Sequence, residues 1–224
     1  MQKNISVLVV VASDNLELLE KVIWSYNTQT FRNFEMLILN LNDNQEISKL
    51  VTALEKEVFF SIRFMKFDAQ HDQNQALKHA VANAASDYII ITTDTCIARP
   101  DFVEEHMKIR VEGHVLLGKT NAILNSVAQS ITKDVIYASY CFQFNWLRNK
   151  EIGFLSSFLI SYSGLLNTFL DSFVTLNTVS FKNFSGWKSD LIQIESLINC
   201  KLSTLDKLGV KKKFISFRTS ILEI

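Results

Sequence analysis

The sequence predicts an α/β protein with a Rossmann-like, mostly parallel sheet and helices on both faces. Short β-branched runs alternate with amphipathic segments through the first half of the 224-residue chain, which is typical of a doubly wound sheet. The first run, Ile5–Ala12, is rich in β-branched residues and apolar except for Ser6, as in a strand buried on both faces of a parallel sheet. In such sheets ligands bind beyond the carboxyl ends of the strands.

The first half divides into strand and helix units. Ser13 or Asp14 is expected to cap the first helix, since apolar residues then recur at helical spacing: Leu16, Leu19, Ile23 and Tyr26. The other elements predicted here are strands over Phe34–Leu39, Ser61–Phe67 and Asp87–Thr92 and helices over Glu46–Glu57 and Gln75–Ala85. A Pro-any-Phe helix start follows the last strand, at Arg99-Pro100-Asp101-Phe102.

The second half is less regular. We predict a strand in Val115–Leu124, mostly helix in Ile131–Asn149, a Phe-rich segment over Phe154–Phe173, a turn near Ser185-Gly186-Trp187, a helix over Leu191–Leu208 and a closing strand over Phe214–Ile221. No repeat, linker or low-complexity segment separates these elements, which predicts a single domain over residues 1–224.

Composition excludes several classes of protein. The formal net charge is zero, so no global field favours nucleic acid. Cys96, Cys141 and Cys200 are odd in number and widely spaced, which fits reduced thiols in a cytosol and predicts a cytoplasmic protein. The run Lys211-Lys212-Lys213 is expected to be a solvated turn before the last strand.

The stretch Ile152–Leu170 is the nearest approach to a membrane span. It carries no charge, but it contains Ser, Thr, Asn and Gly, which lower its hydrophobicity below that of a typical span. A buried or interface-facing helix is therefore expected there.

Several segments, in this order, carry a family resemblance: Leu18–Leu39, the strand Tyr88–Thr92 with Thr93-Asp94-Thr95 after it, Arg99–Phe102, Asn177–Lys182, Gly186-Trp187 and Gly209–Lys213. Together they resemble the family 2 glycosyltransferases of GT-A fold, and most closely those with a galactosyltransferase-like C-terminal module. The resemblance implies a nucleotide-sugar-binding half over residues 1–110 and an acceptor-side half over 111–224.

The same resemblance implies a donor, an acceptor and a location. The donor would be a nucleotide-diphosphate sugar, with a UDP-sugar first, and the acceptor a glycan or lipid-linked acceptor in bacterial surface polysaccharide or lipopolysaccharide assembly. The protein would work in the cytoplasm or at the inner face of the membrane, without nucleic acid.

The residues at the donor positions depart from the family pattern. Asn40 stands where the family has a base-binding Asp, and an Asn can still hydrogen-bond a uracil edge. Thr93 and Thr95 stand at the two acids of the metal motif, with Asp94 between them. Mn²⁺ or Mg²⁺ prefers carboxylate oxygens, so Asp94 and, by the family's late His position, Glu223 are the remaining ligand candidates. Asp94 can equally cap the following turn.

Asp190 is the candidate base for the acceptor hydroxyl, with a helix N-cap as its other interpretation. Trp187 is either an acceptor-sugar platform or a core aromatic. Lys78, Arg99 and Lys119 are the cations that would support a metal-independent route. We expect Asp94→Asn to abolish the turnover of an active enzyme and to leave folding unchanged.

The losses leave a second hypothesis open. The chain would then be a catalytically inactive GT-A pseudoenzyme that acts as a binding or partner subunit. Its apolar residues 152–173 would face a protein partner or a membrane surface, since a large exposed apolar patch marks such an interface.

Overall fold

The parallel sheet expected from the sequence is the centre of the fold. The structure, a computed structural model, describes residues 5–42, 44–67, 72–162, 165–172, 181–198, 201–216 and 218–224. Its strands are β1 (Ile5–Val11), β2 (Phe34–Asn40), β3 (Ser61–Lys66), β4 (Tyr88–Thr93), β5 (Cys96–Ala98), β6 (His114–Leu117), β7 (Asn121–Ala122), β8 (Phe184–Trp187), β9 (Lys211–Phe214) and β10 (Ile221–Glu223). Over the described ranges, seven strands form one sheet in the order β3-β2-β1-β4-β8-β6-β9, and three form a small sheet in the order β5-β10-β7.

Helices cover this sheet and build most of the second half. They are α1 (Leu16–Asn27), α2 (Gln45–Leu54), α3 (Gln73–Asn83), α4 (Phe102–Ile109), α5 (Asn125–Gln129), α6 (Lys133–Tyr137), α7 (Phe144–Asn149), α8 (Phe154–Ser161), α9 (Leu165–Asp171), α10 (Lys188–Gln193) and α11 (Leu202–Lys207). Short 3-10 turns lie at Tyr140–Phe142 and Phe181–Asn183. Within the described part of the chain, no helix combines the length and apolarity needed to cross a membrane.

Strand direction fixes which chain segments share an edge of the main sheet. β3, β2, β1 and β4 run parallel, and the register places Val11 beside Asn40 and Val10 beside Thr93. We call this end the carboxyl edge, and the end where β4 begins at Tyr88 the amino edge. β8 runs antiparallel to β4, so it starts at the carboxyl edge and finishes at the amino edge.

The side chains of β1 confirm that helices lie on both faces of the sheet. Val7 and Val9 belong to one apolar cluster with residues of α1 and α2, whereas Leu8 and Val10 belong to another with residues of α3. Successive side chains of a strand point to opposite faces, and every residue of β1 is buried. The apolar residues of β1 therefore contribute to two cores at once.

The strands and helices predicted by range in the first half agree with the structure to within two or three residues, whereas the short strand β5 was not predicted and one helix cap differs. Asn15, and not Ser13 or Asp14, caps α1, because its Oδ1 accepts from the backbone N–H of Leu18 at 3.2 Å. Ser13 instead bonds to Asp94, across the sheet edge.

The second half corrects the prediction at several places. The closing strand expected over Phe214–Ile221 is not found: β9 ends at Phe214, β10 begins at Ile221, and the described residues between them form no strand. Ser185–Trp187 is not a turn, since it belongs to strand β8. The helix expected over Leu191–Leu208 is two short helices, α10 and α11. Lys211–Lys213 is part of strand β9 and pairs with β6, so it is not a solvated turn. Cys200 and Asn177–Ser180 lie outside the described residues.

Candidate functional site

The carboxyl edge begins with Asn40, the last residue of β2. Its side chain is fully buried, and Oδ1 accepts from the backbone N–H of Asn42 at 3.0 Å. Its Nδ2 finds no acceptor among the described residues. A buried donor without a partner costs roughly 1–3 kcal/mol, and native proteins usually satisfy such groups with solvent or a ligand. Asn40 therefore offers an unused donor at the position expected to bind a base.

Asp94 closes the end of β4 against the loop after β1. It is 2 % exposed, and its Oδ2 accepts from the Ser13 backbone N–H at 2.9 Å and from the Ser13 hydroxyl at 2.6 Å. Both bonds are made to an ionised group and are therefore strong. The structure thus favours the interpretation of Asp94 as a loop anchor, and it leaves one carboxylate oxygen at most for any ligand.

The side chains of Thr93 and Thr95 contact each other, whereas that of Asp94, between them in the sequence, bonds Ser13. Their hydroxyls lie 3.0 Å apart, and the Thr93 hydroxyl lies 3.3 Å from the Cys96 sulfur. Burial raises the pKa of the Cys96 thiol, which keeps this sulfur protonated and unreactive at neutral pH. The two threonine hydroxyls are donors that can reorient toward an anion.

The small sheet brings Glu223 to the same place. β10 runs antiparallel to β5, with Glu223 paired to Cys96, and the backbone N–H of Ile224 donates to the Thr95 carbonyl at 2.9 Å. The Glu223 carboxylate accepts from the Thr120 hydroxyl and forms an ion pair with Lys182. Burial alone would raise the pKa of Glu223, but the bonds from Lys182 and Thr120 hold it below its usual value.

A divalent cation does not fit these groups well. Across the described ranges, no three His, Cys, Asp or Glu side chains come together as a metal-binding group. Asp94 is held by Ser13, Glu223 by Lys182 and Thr120, and Thr93 lies within bonding distance of Thr95. Mn²⁺ and Mg²⁺ require several free oxygen ligands, preferably carboxylates. Asp94 offers one oxygen at most, and Glu223 would first have to give up its bonds to Lys182 and Thr120.

The candidate base and the candidate platform lie at the other edge. Trp187 pairs with Tyr88 at the start of β4, and its indole N–H donates to the Val111 carbonyl at 3.1 Å. Asp190 follows in the first turn of α10. Burial, and then the charge of Glu112, raise the pKa of the Asp190 carboxyl, while His114 lowers it. β4 alone spans about 17 Å at the usual rise per residue, so the structure separates Trp187 and Asp190 from Asn40 and Thr93.

The three candidate cations have different environments. Arg99 is 4 % exposed and is fully engaged: it pairs with Asp101 at 2.6 Å and donates to three backbone carbonyls, at Ile160, Tyr162 and Arg218. It is therefore a structural clamp. Lys119 is exposed and lies next to Thr120 at the carboxyl edge. Lys78 is half-buried in the middle of α3, four residues after Asn74.

Sequence reasoning missed two residues of the carboxyl edge. Lys182 enters the site because the 3-10 turn before β8 lies beside the end of β4. Glu195 is exposed and follows α10. The Asn74 side chain holds its segment at the start of α3, bonding to the Glu195 carbonyl and to the Leu197 backbone N–H at 2.8 Å. In the sequence, only the position of Lys182 at the end of the family-like segment Asn177–Lys182 pointed to this residue.

Three comparisons with known proteins extend this description. A family model described as "Glycosyl transferase family 2" matches residues 6–157. No curated protein matches the sequence. Among solved structures, the mannosyltransferase PcManGT from Pyrobaculum calidifontis, in complex with GDP-Man and Mn²⁺, is similar over 100 % of this chain and 57 % of its own, with a TM-score of 0.64 and 11 % identity.

Two further structures show the same fold. TarS from S. aureus is similar over 98 % of this chain and 36 % of its own, with a TM-score of 0.55 and 10 % identity. A mycobacterial protein is similar over 99 % of this chain and 68 % of its own, with a TM-score of 0.53 and 14 % identity. The chain spans little more than half of the mannosyltransferase and about a third of TarS. At these identities the likeness concerns the fold, which is that of GT-A glycosyltransferases.

Proposed function

Because the chain belongs to glycosyl transferase family 2, we propose that it binds a nucleotide-diphosphate sugar at its carboxyl edge and transfers the sugar to a glycan acceptor. The observation that carries this proposal is Asn40, whose buried Nδ2 has no acceptor among the described residues. An amide donor at the end of a parallel strand can bond a carbonyl oxygen of uracil. A UDP-sugar is therefore the proposed donor, used in bacterial surface polysaccharide or lipopolysaccharide assembly on a glycan or lipid-linked acceptor.

The transfer needs two kinds of group from the protein: donors that stabilise the negative charge of the departing diphosphate, and a base that takes the proton of the acceptor hydroxyl. The acceptor oxygen forms a bond to the anomeric carbon, the bond from that carbon to the diphosphate oxygen breaks, and the electron pair leaves with the diphosphate. A base takes the acceptor proton. We propose Glu195 for this role in place of Asp190, since Glu195 is the exposed acid that follows α10 at the carboxyl edge, whereas Asp190 lies at the amino edge.

We also propose that residues 1–110 form the nucleotide-sugar-binding half and residues 111–224 the acceptor-side half. Residues 1–110 contribute Asn40 and Thr93–Thr95, and residues 111–224 contribute Glu195 and Glu223. Lys78, on the side of α3 that also carries Asn74, is proposed to lie near the diphosphate path. Mn²⁺ or Mg²⁺ would bind with Glu223 only by displacing Lys182 and Thr120, and Asp94 could add a single oxygen.

The first experiment is calorimetric titration of the protein with UDP, GDP and uridine, with and without Mn²⁺. We expect UDP to bind, and Asn40→Ala to weaken UDP and uridine binding about tenfold, because one hydrogen bond to the base is lost. Asn83→Ala is the matched control, because Asn83 is exposed at the far end of α3. Failure of every nucleotide to bind, with or without Mn²⁺, would contradict the proposed function and leave the inactive-scaffold alternative.

Exposed apolar side chains favour a second role for residues 152–173, as a surface that contacts a membrane. Phe154, Leu155 and Phe169 are 66 %, 67 % and 61 % exposed, and Lys150 lies over the Trp146 ring at 5.4 Å. Exposed aromatic and aliphatic side chains beside basic residues suit the headgroup region of an anionic membrane. We propose that this face rests on the inner surface of the membrane, where a lipid-linked acceptor would be found; a protein partner is the alternative occupant.

Binding to lipid vesicles tests this location. We expect the protein to co-sediment with phosphatidylglycerol vesicles, and the double change Phe154→Ser and Leu155→Ser to reduce the bound fraction several-fold, because both side chains lose their apolar contact with the bilayer. Ile192→Ser, at a 43 % exposed position on α10, serves as the control. Equal sedimentation of all three proteins would exclude the face as the membrane contact.

A further inference from the structure

The ion pair between Lys182 and Glu223 lies beside Cys96, the residue that follows the metal-motif positions Thr93–Thr95. We propose that the Lys182 ammonium replaces the divalent cation and binds the diphosphate of the donor, with Thr93 and Thr95 as hydroxyl donors beside it. This inference rests on the proposed function and specifies how its donor site works. It does not depend on the identity of the sugar or of the acceptor.

Position is the first support for this role. Lys182 lies in the turn that leads into β8, directly before the strand that pairs with the carboxyl-terminal part of β4. Its partner Glu223 is paired with Cys96, and the Cys96 sulfur lies 3.3 Å from the Thr93 hydroxyl. The charges of Lys182 and Glu223 both act on the buried Cys96 thiol. The ammonium and the hydroxyl pair therefore belong to one cluster.

Charge balance is the second support. A divalent cation held by the two acids of the family motif leaves a net charge of zero before the donor binds. Here the Lys182 ammonium pairs with the Glu223 carboxylate, and Thr93 and Thr95 stand in place of the two acids of the family motif. The carboxylate of Asp94, between the two threonines, is taken up by Ser13 through one oxygen. If Asp residues had stayed at 93 and 95, a single lysine could not have offset them, and they would repel a diphosphate. The loss of both acids and the presence of Lys182 are thus mutually consistent.

Accessibility is the third support. The side chain of Lys182 is 34 % exposed and that of Glu223 is 24 % exposed, so a ligand can reach the pair. Arg99 cannot serve in this way, since its guanidinium is already bonded to Asp101 and to backbone carbonyls. Glu223 holds the ammonium in position, and Thr120 in turn holds Glu223.

In the transfer step the ammonium acts on the leaving group. As the bond from the anomeric carbon to the diphosphate oxygen breaks, negative charge grows on that oxygen. Lys182 and the hydroxyls of Thr93 and Thr95 donate hydrogen bonds to the departing diphosphate, and no proton needs to be transferred to it. The acceptor proton goes to the base, as described above.

The test compares UDP with uridine, because only UDP carries the diphosphate. We expect wild-type protein to bind UDP equally well in Mn²⁺ and in EDTA. Lys182→Gln should weaken UDP binding at least tenfold and leave uridine binding unchanged, which a merely structural role would not produce. Glu223→Gln should retain UDP binding or strengthen it, because the ammonium loses a competing anion. Lys211→Gln is the control, since Lys211 is exposed at the amino edge.

The outcomes separate the two proposals. Binding of UDP that EDTA abolishes, or that is the same in Lys182→Gln and wild type, would overturn the role of Lys182 while the proposed function stands. Absence of nucleotide binding by wild-type protein in either condition would overturn both. If Lys182→Gln lost UDP and uridine binding together, and its thermal unfolding midpoint fell, the residue would be structural and the inference would fail.

Discussion

The carboxylate of Asp94 lies within the metal-motif positions, but in this structure it binds the loop after β1. Its Oδ2 bonds the backbone and the hydroxyl of Ser13, so it joins the loops after β1 and β4. The earlier expectation that Asp94→Asn leaves folding unchanged therefore needs revision. Turnover of such a variant would report on the loop as well as on any direct contact with the donor.

We expect Asp94→Ala to reduce the free energy of unfolding by about 1–3 kcal/mol, because two donors at Ser13 lose their acceptor. Asp94→Asn keeps one acceptor oxygen and should lose less. Urea unfolding of both variants measures the difference. Equal stability of Asp94→Ala and wild type would show that the loop has no need of the carboxylate.

Gly118 provides a second prediction at this scale. A β-carbon added to Gly118 would lie 2.2 Å from Nδ2 of Asn183, and Asn183 is itself buried and bonded to Lys119 and Thr219. We expect Gly118→Ala to destabilise the protein by about 1–3 kcal/mol through overpacking. Thermal unfolding checks this, with Gly153→Ala as control, because a β-carbon at Gly153 meets nothing within 4 Å. A loss of stability in the control alone would contradict the packing argument.

At the scale of elements, Arg99 connects three segments that are distant in sequence. Its guanidinium pairs with Asp101 and donates to carbonyls at the end of α8 and at Arg218. Removal of a buried charged partner of this kind costs roughly 3–5 kcal/mol, since the remaining charge and carbonyls lose their bonds. We expect Arg99→Ala to lower the midpoint of urea unfolding strongly.

Arg99→Lys is the informative comparison, because lysine keeps the charge but cannot make the forked pair with Asp101. It should recover only part of the stability. Full recovery by lysine would mean that charge alone, and not the planar geometry of arginine, holds α8 to the rest of the protein.

The elements also explain what the sequence could and could not predict. Most strands and helices of the first half were predicted to within three residues because each carries an apolar pattern that can be recognised alone, as β1 and α1 do. Strand β5 was missed because three residues are too few to show such a pattern. β8 has only four residues and contains Gly186, so it was predicted as a turn. That error also concealed its direction. An antiparallel strand carries Trp187 and Asp190 to the amino edge, and spacing along a chain does not reveal this reversal.

The candidate site was predictable only in part: the residues at the ends of parallel strands could be placed from the sequence, and Lys182 could not. Asn40 and Thr93–Thr95 follow parallel strands, so their position at one edge followed from the strand order alone. Lys182 could not be found in this way, because its partner Glu223 is 41 residues away and arrives through the small sheet of β5, β10 and β7. A contact of that kind depends on tertiary structure, which local patterns do not encode.

At the scale of the whole molecule, a buried polar network joins α4 to the middle of the sheet. His106 is fully buried, with Nδ1 2.7 Å from the Ser185 hydroxyl and Nε2 3.3 Å from Oδ1 of Asn183. The Tyr88 hydroxyl lies 2.8 Å from the same Ser185 hydroxyl. Burial lowers the pKa of His106 to about 3, against a smaller opposing effect of Asn183. The histidine is therefore neutral in the folded protein at any ordinary pH.

This shift makes global stability depend on pH. Between about pH 6.5 and pH 3 the unfolded chain binds a proton at His106 that the folded protein does not, so stability is fully present above about pH 6.5 and falls as the pH decreases, by roughly 1.4 kcal/mol per unit. Urea unfolding from pH 7.5 to 4.5 should show this slope. His106→Gln should be less stable at pH 7 but should lose less stability on acidification, because glutamine does not titrate. Parallel pH profiles for the two proteins would assign the acid sensitivity to other groups, and the network would then be a matter of packing alone.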